Sequence, residues 1–124
     1  MSIAILRRMA KERAMNEVST DYFIAGLVLL AGGVPLLRGW IPRNRWSGFR
    51  VPKTLSSDRI WYEANRVAGR DLMIAGAVVM TMAVVSALLS KEIHGLPLEK
   101  INKVVLYGAL LITAAHSFIA LRRM

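Results

Sequence analysis

Three runs of the chain contain no Asp, Glu, Lys or Arg: residues 22–37, 72–90 and 104–121, which are 16, 19 and 18 residues long. A helix that crosses the hydrocarbon core of a bilayer needs about 20 mainly apolar residues, with a lower limit near 17. The second and third runs meet that length directly. The first reaches it if Arg38 snorkels and Gly39, Trp40 and Ile41 occupy the interface. Each run is apolar on all faces, whereas a helix of a soluble bundle keeps a polar stripe for water. A soluble domain of 124 residues, 55% of them hydrophobic, would also have difficulty burying that much apolar surface. The expected fold is an all-α integral membrane protein with three transmembrane helices, an N-terminal amphipathic helix and a basic juxtamembrane hairpin.

The first of these additions rests on residues 1–20. Ile3, Leu6, Met9 or Ala10, and Arg13 or Ala14 recur at helical spacing, with Arg7, Arg8 and Lys11 between them. This pattern predicts a short amphipathic helix on a membrane surface or against a partner. A signal peptide would carry its apolar region directly after the basic residues and then a small-residue cleavage site. Here a charged interval runs on through Asp21, so the segment is read as part of the mature protein, ahead of a three-span domain over residues 21–124. Tyr22 and Phe23 open the first span at interface depth, and Gly32, Gly33 and Pro35 are expected to weaken its far half. In the second span Ala83 and Ala87 have the spacing that lets helices approach closely.

Between the first two spans lies the most informative stretch, residues 48–69. Trp40 and Trp46, with arginines around them, fit an interfacial loop ahead of it. Gly48 and Pro52 mark an extended or turning backbone, and Thr54, Ser56 or Ser57 is placed to cap a helix beginning with Asp58. No breaker follows until Gly69, so one helix is predicted to run from about Ser57 through the second span. Trp61, Asn65, Ala68 and Leu72 form one stripe on it, and Gly69 would admit a neighbouring helix. Glu63 is within one turn of both Arg59 and Arg66, and Asp71, at the mouth of the span, should seek a basic partner.

A formal net charge of +9 raises the question of nucleic acid. The charge is not arranged for it: Arg38, Arg43, Arg45, Arg50, Lys53, Arg59, Arg66 and Arg70 all flank the membrane, where anionic lipid headgroups meet them. The absence of cysteine excludes disulfides, thiolate chemistry and cysteine metal sites. His94 falls in a loop and His116 in the third span, with no carboxylate at metal-ligand spacing, so no haem or metal pair is read from them. No paired carboxylates, activated nucleophile or cofactor fingerprint mark an enzyme. His116 stands as a possible intramembrane polar site, with two readings: a ligand-binding group, or a hydrogen-bond donor near the headgroups.

Three spans put Arg7, Arg8, Lys11, Arg13, Lys91, Lys100 and Lys103 on one side, against the eight hairpin residues plus Arg122 and Arg123 on the other. The excess of positive charge predicts a cytoplasmic hairpin and C-terminus.

The stretch Gly48-x-Arg50-x-Pro52-x-Thr54-Leu55, with Trp61 inside Ile60-Trp61-Tyr62 and Asn65-Arg66-x-x-Gly69 leading into a span, resembles the SdpI family of small bacterial membrane proteins. The family takes its name from an immunity protein. Lys53 stands where many members have tryptophan, and Asn65 where many have histidine. The resemblance implies a multi-pass protein of the bacterial cytoplasmic membrane that senses or sequesters a partner. Arg50, Arg59, Trp61, Asn65, Arg66 and Gly69 are then the expected partner- or lipid-binding residues, with the arginines attracting an anionic partner and Trp61 supplying an apolar anchor. The bland reading of the same residues is that Arg50 and Arg66 hold lipid phosphate and loop carbonyls while Trp61 packs the hairpin onto the helices. Two functions follow: a non-enzymatic accessory or scaffold subunit of a larger membrane complex, and an immunity-like or signalling protein that binds a toxin or regulator. The expected partners are other membrane subunits or further copies of the chain, and anionic lipids.

Overall fold

The computed structural model describes residues 2–93 and 95–124; His94, expected in the second connecting loop, lies outside them. The regular elements among the described residues are three long helices, α1 (Ile3–Arg38), α2 (Asp58–Glu92) and α3 (Leu98–Arg122), and a single 3₁₀ turn, Thr54–Ser56, with no strand among them. All three are long and apolar enough to cross a membrane. Only 11% of the most apolar window of α3 is buried, and Val104, Tyr107, Leu111 and Ile112 point outward. That surface suits lipid, which is as apolar as the side chains themselves.

The predicted N-terminal helix is present but is not a separate element. α1 continues through Asp21 without a break for 36 residues. Residues 3–20 contain no glycine or proline and are rich in Ala, Arg, Met and Glu, so nothing in the backbone stops the helix where the charge ends. Ser2 caps the start by accepting the Ile5 N–H at 3.3 Å. At the other end Pro35 does not interrupt α1; one more turn follows before Gly39, at φ 69°, closes it. The Gly39 N–H reaches the Leu36 carbonyl and the Trp40 N–H that of Pro35, the paired bonds of a left-handed helix stop. Of the three candidate caps of α2, Ser57 takes the role and accepts the Ile60 N–H at 3.2 Å.

α1 and α2 pack antiparallel over most of their length, while α3 lies on α2 and scarcely touches α1. Glycine sets the first contact. A Cβ added at Gly69 would come within 2.6 Å of the Gly33 carbonyl oxygen, and one at Gly76 within 2.5 Å of that of Gly26. The two pairs are seven residues apart in both helices, two full turns, so the backbones touch at two levels of one seam. Ala83, buried, continues the same side of α2.

These pairs, with Asn102 to Ser86 and His116 to Asp71 between α2 and α3, fix the heights of the helices. Counting outward from them, Arg38, Arg66 and Arg122 fall at nearly one level, and Glu17 and Lys103 at the level of Val85. The two levels are about 30 Å apart at 1.5 Å per residue, the thickness of a bilayer hydrocarbon core. The charged outer half of α1 therefore projects beyond the far boundary, which is why it is amphipathic while the inner half is apolar throughout.

Candidate functional site

Between α1 and α2, residues 40–57 fold back as a cap on the end of the bundle. Trp61 is its centre. The residue is wholly buried, 0% exposed, and its indole N–H donates to the Ile41 carbonyl at 2.9 Å. One turn on, Asn65 is buried as well: its amide oxygen accepts the Phe49 N–H at 2.7 Å, and its amide nitrogen donates to the Trp61 carbonyl at 2.9 Å. Side chains four residues apart share a helix face, so the two together hold both ends of the incoming loop. Gly48, at φ 100°, passes directly over them; a Cβ there would lie 2.7 Å from the Asn65 amide oxygen and 3.2 Å from the Trp61 ring. No L side chain fits that backbone or that space.

The rest of the cap is stitched in the same way. Thr54, fully buried, both accepts from and donates to the Val51 backbone at 2.9 Å. Arg43 pairs with Asp58 at 3.3 Å and donates to the Leu55 carbonyl, and Arg50 donates to the Arg45 carbonyl. Two contacts reach α3. Phe49 meets Phe118 edge-on, ring centroids 5.0 Å apart. Lys53 donates to the Leu121 carbonyl at 2.7 Å, placing a cation at the negative end of α3 on an oxygen that also accepts the Met124 N–H at 3.1 Å. Lys53→Met should lower stability by about 1.5 kcal/mol and speed amide exchange at Arg123 and Met124; unchanged exchange at those two amides would show the tie to be dispensable.

The six residues grouped by sequence thus divide into two sets. Trp61, Asn65 and Gly69 are buried and contact the chain itself. Trp61 is therefore not an anchor presented to a partner; it anchors the cap. Arg50 is bound to a loop carbonyl, Arg59 pairs with Glu63 at 3.2 Å, and Arg66 is exposed with no ion pair or hydrogen bond among the described residues. The tryptophans that do face outward are Trp40, 67% exposed, and Trp46, 88% exposed. Asn44 holds the second of these in place, its side-chain oxygen accepting the Trp46 and Ser47 N–H groups at 2.7 Å each.

His116 lies two residues before Phe118 on α3, against Asp71 of α2, which it meets through Nδ1. Arg70 stands 3.6 Å from the other oxygen of that carboxylate. Asp71 thus has two basic neighbours, one of them 45 residues away. Among the described residues no three His, Asp or Glu side chains converge as metal ligands would.

A family model described as the SdpI/YfhL protein family matches residues 40–121. The chain belongs to the SdpI/YfhL protein family. It is a small multi-pass membrane protein of that family. The SdpI/YfhL match begins at Trp40, just past the stop of α1, and ends at Leu121, whose carbonyl binds Lys53. Cap, α2 and α3 thus form the matched unit, and α1 packs on it from outside. No curated protein and no solved structure matches the chain.

Proposed function

We propose that this SdpI/YfhL-family protein is a non-enzymatic accessory or scaffold subunit of a larger complex in the bacterial cytoplasmic membrane, and that it docks through the outer face of the cap. One observation carries the reading: two exposed tryptophans stand on a loop held from beneath by buried, hydrogen-bonded Trp61 and Asn65. Tryptophan and arginine dominate binding hot spots, and a loop already rigid before contact loses little entropy when it docks. Arg45 beside Trp46, and Arg66 on the stem, give that face its positive charge; Arg66 also suits an anionic lipid headgroup. The family match, which covers the whole cap, supports a second reading, an immunity-like or signalling protein whose cap binds a toxin or regulator.

A photoreactive benzoylphenylalanine in place of Trp46, irradiated in native membranes, tests the reading. The expected product is one discrete adduct with an integral membrane protein. The same probe in place of Leu111, on the lipid-facing side of α3, should give none. An adduct with a water-soluble protein would move the assignment to the second reading, and lipid adducts alone would overturn both.

A further inference from the structure

Below the cap, polar side chains join α2 and α3 at two heights, with an open groove along the helices between them. Asn102 meets Ser86 at one end and His116 meets Asp71 at the other. The intervening stretch is a groove of about 510 Å³ walled by Ile74, Val78, Val105, Gly108 and Ile112, with Asp71 and His116 closing its upper end. Gly108 leaves it open: a Cβ built there has no neighbour within 4 Å. The groove is open to the lipid, Ile74 and Ile112 being 57% and 70% exposed, so an occupant enters it from the bilayer. From Val104 to His116 the groove is about 18 Å long at 1.5 Å per residue.

The polar end decides what such a site takes. His116 sits about 9 Å inside the level of Arg38, Arg66 and Arg122, by six residues of helix rise, and it is 49% exposed. Its Nδ1 meets Asp71, which leaves Nε2 as the ring's other polar atom, a donor or an acceptor according to the tautomer. Among the described residues Nε2 has no hydrogen-bond partner, although water is scarce at that depth and an unmade bond is unfavourable there. A further charge is costly at the same depth, where the Arg70 cation already stands against Asp71. Asp71, only 12% exposed, is covered by His116 and Arg70 and does not face the groove as a free anion. A hydroxyl both donates and accepts, and therefore satisfies Nε2 in either role.

We propose that the α2–α3 groove binds a neutral lipophilic alcohol or phenol, its apolar body along Ile74, Val78 and Ile112 and its hydroxyl on Nε2 of His116. Binding adds a site independent of the cap, and neither reading of the cap requires it.

The probe is 1-hexadecanol carrying a mid-chain diazirine, photolysed with the full chain in phospholipid nanodiscs, with adducts mapped by mass spectrometry. Adducts should fall on Ile74, Val78 and Ile112, and excess 1-hexadecanol should remove them while hexadecane does not. Gly108→Leu, whose Cβ has open space around it and whose side chain would occupy the groove, should cut labelling at least tenfold with helix content unchanged. His116→Phe should abolish the difference between the alcohol and the hydrocarbon as competitors. Undiminished labelling in Gly108→Leu overturns the proposal. So does equal competition by hexadecane, which would assign the groove to any acyl chain. Disulfide dimers from Ile112→Cys in this cysteine-free chain would assign it to a second copy and overturn the proposal as well.

Discussion

Gly69→Leu should separate α1 from α2 and lower stability by about 3 kcal/mol or more, while Gly32→Leu should change it by less than about 0.5 kcal/mol. The contrast follows from what each glycine faces. The Gly69 Cβ position lies 2.6 Å from both the Gly33 carbonyl oxygen and the Leu37 nitrogen, and backbone atoms in a packed helix cannot step aside as a side chain does. Gly32, adjacent in sequence to the contact residue Gly33, has nothing within 4 Å. A small residue matters at this seam because apolar side chains gain nothing from leaving lipid; association rests on close approach of the backbones. Denaturant titration in bicelles, followed by tryptophan fluorescence, reads both variants. Equal losses would mean that the seam is not where the two helices hold together.

Trp61→Ala should release the cap while leaving the three spans in the membrane. Removing a fully buried indole destabilises by about 3–5 kcal/mol, and the Ile41 carbonyl loses its donor as well. Because that energy belongs to the cap rather than to the α1–α2 seam, the change should appear locally. Trypsin should cleave at Arg43, Arg45 and Arg50 in the variant much faster than in the parent, with helix content little altered. Trp61→Phe keeps most of the ring and loses only the hydrogen bond, so an intermediate loss of about 1–2 kcal/mol is expected. Parent-like resistance of Trp61→Ala to trypsin would remove Trp61 from its place at the centre of the cap.

Much of this arrangement can be read from the residues before any coordinates. The spans are legible because the charge-free runs are long, and the helix from Asp58 to Glu92 because a serine cap precedes an unbroken stretch. Trp61 and Asn65 are legible as one face because four residues make about one helical turn. What those two side chains bind is not legible: Ile41 and Phe49 offer backbone groups, which every residue carries. The same holds for Lys53, whose acceptor is a backbone carbonyl in the last turn of α3. Asp71 and His116 meet only because α3 returns along α2 at one particular height, set by the short connection and by Asn102 on Ser86. Nor does the sequence distinguish Gly32 from Gly33, since the face that each takes depends on the rotation of α1 against α2. The charge step between Glu17 and Asp21 falls near a membrane boundary, not at a helix end, because charge determines where a helix lies and breakers determine where it stops.

The docking role of the cap is tested most directly by native mass determination of the protein in nanodiscs prepared from its own membranes, with every co-purifying chain identified. A stoichiometric assembly with at least one other integral membrane protein, lost on Trp46→Ala, is the predicted result. A lone monomer or an assembly of identical chains, unaffected by Trp46→Ala, would contradict it.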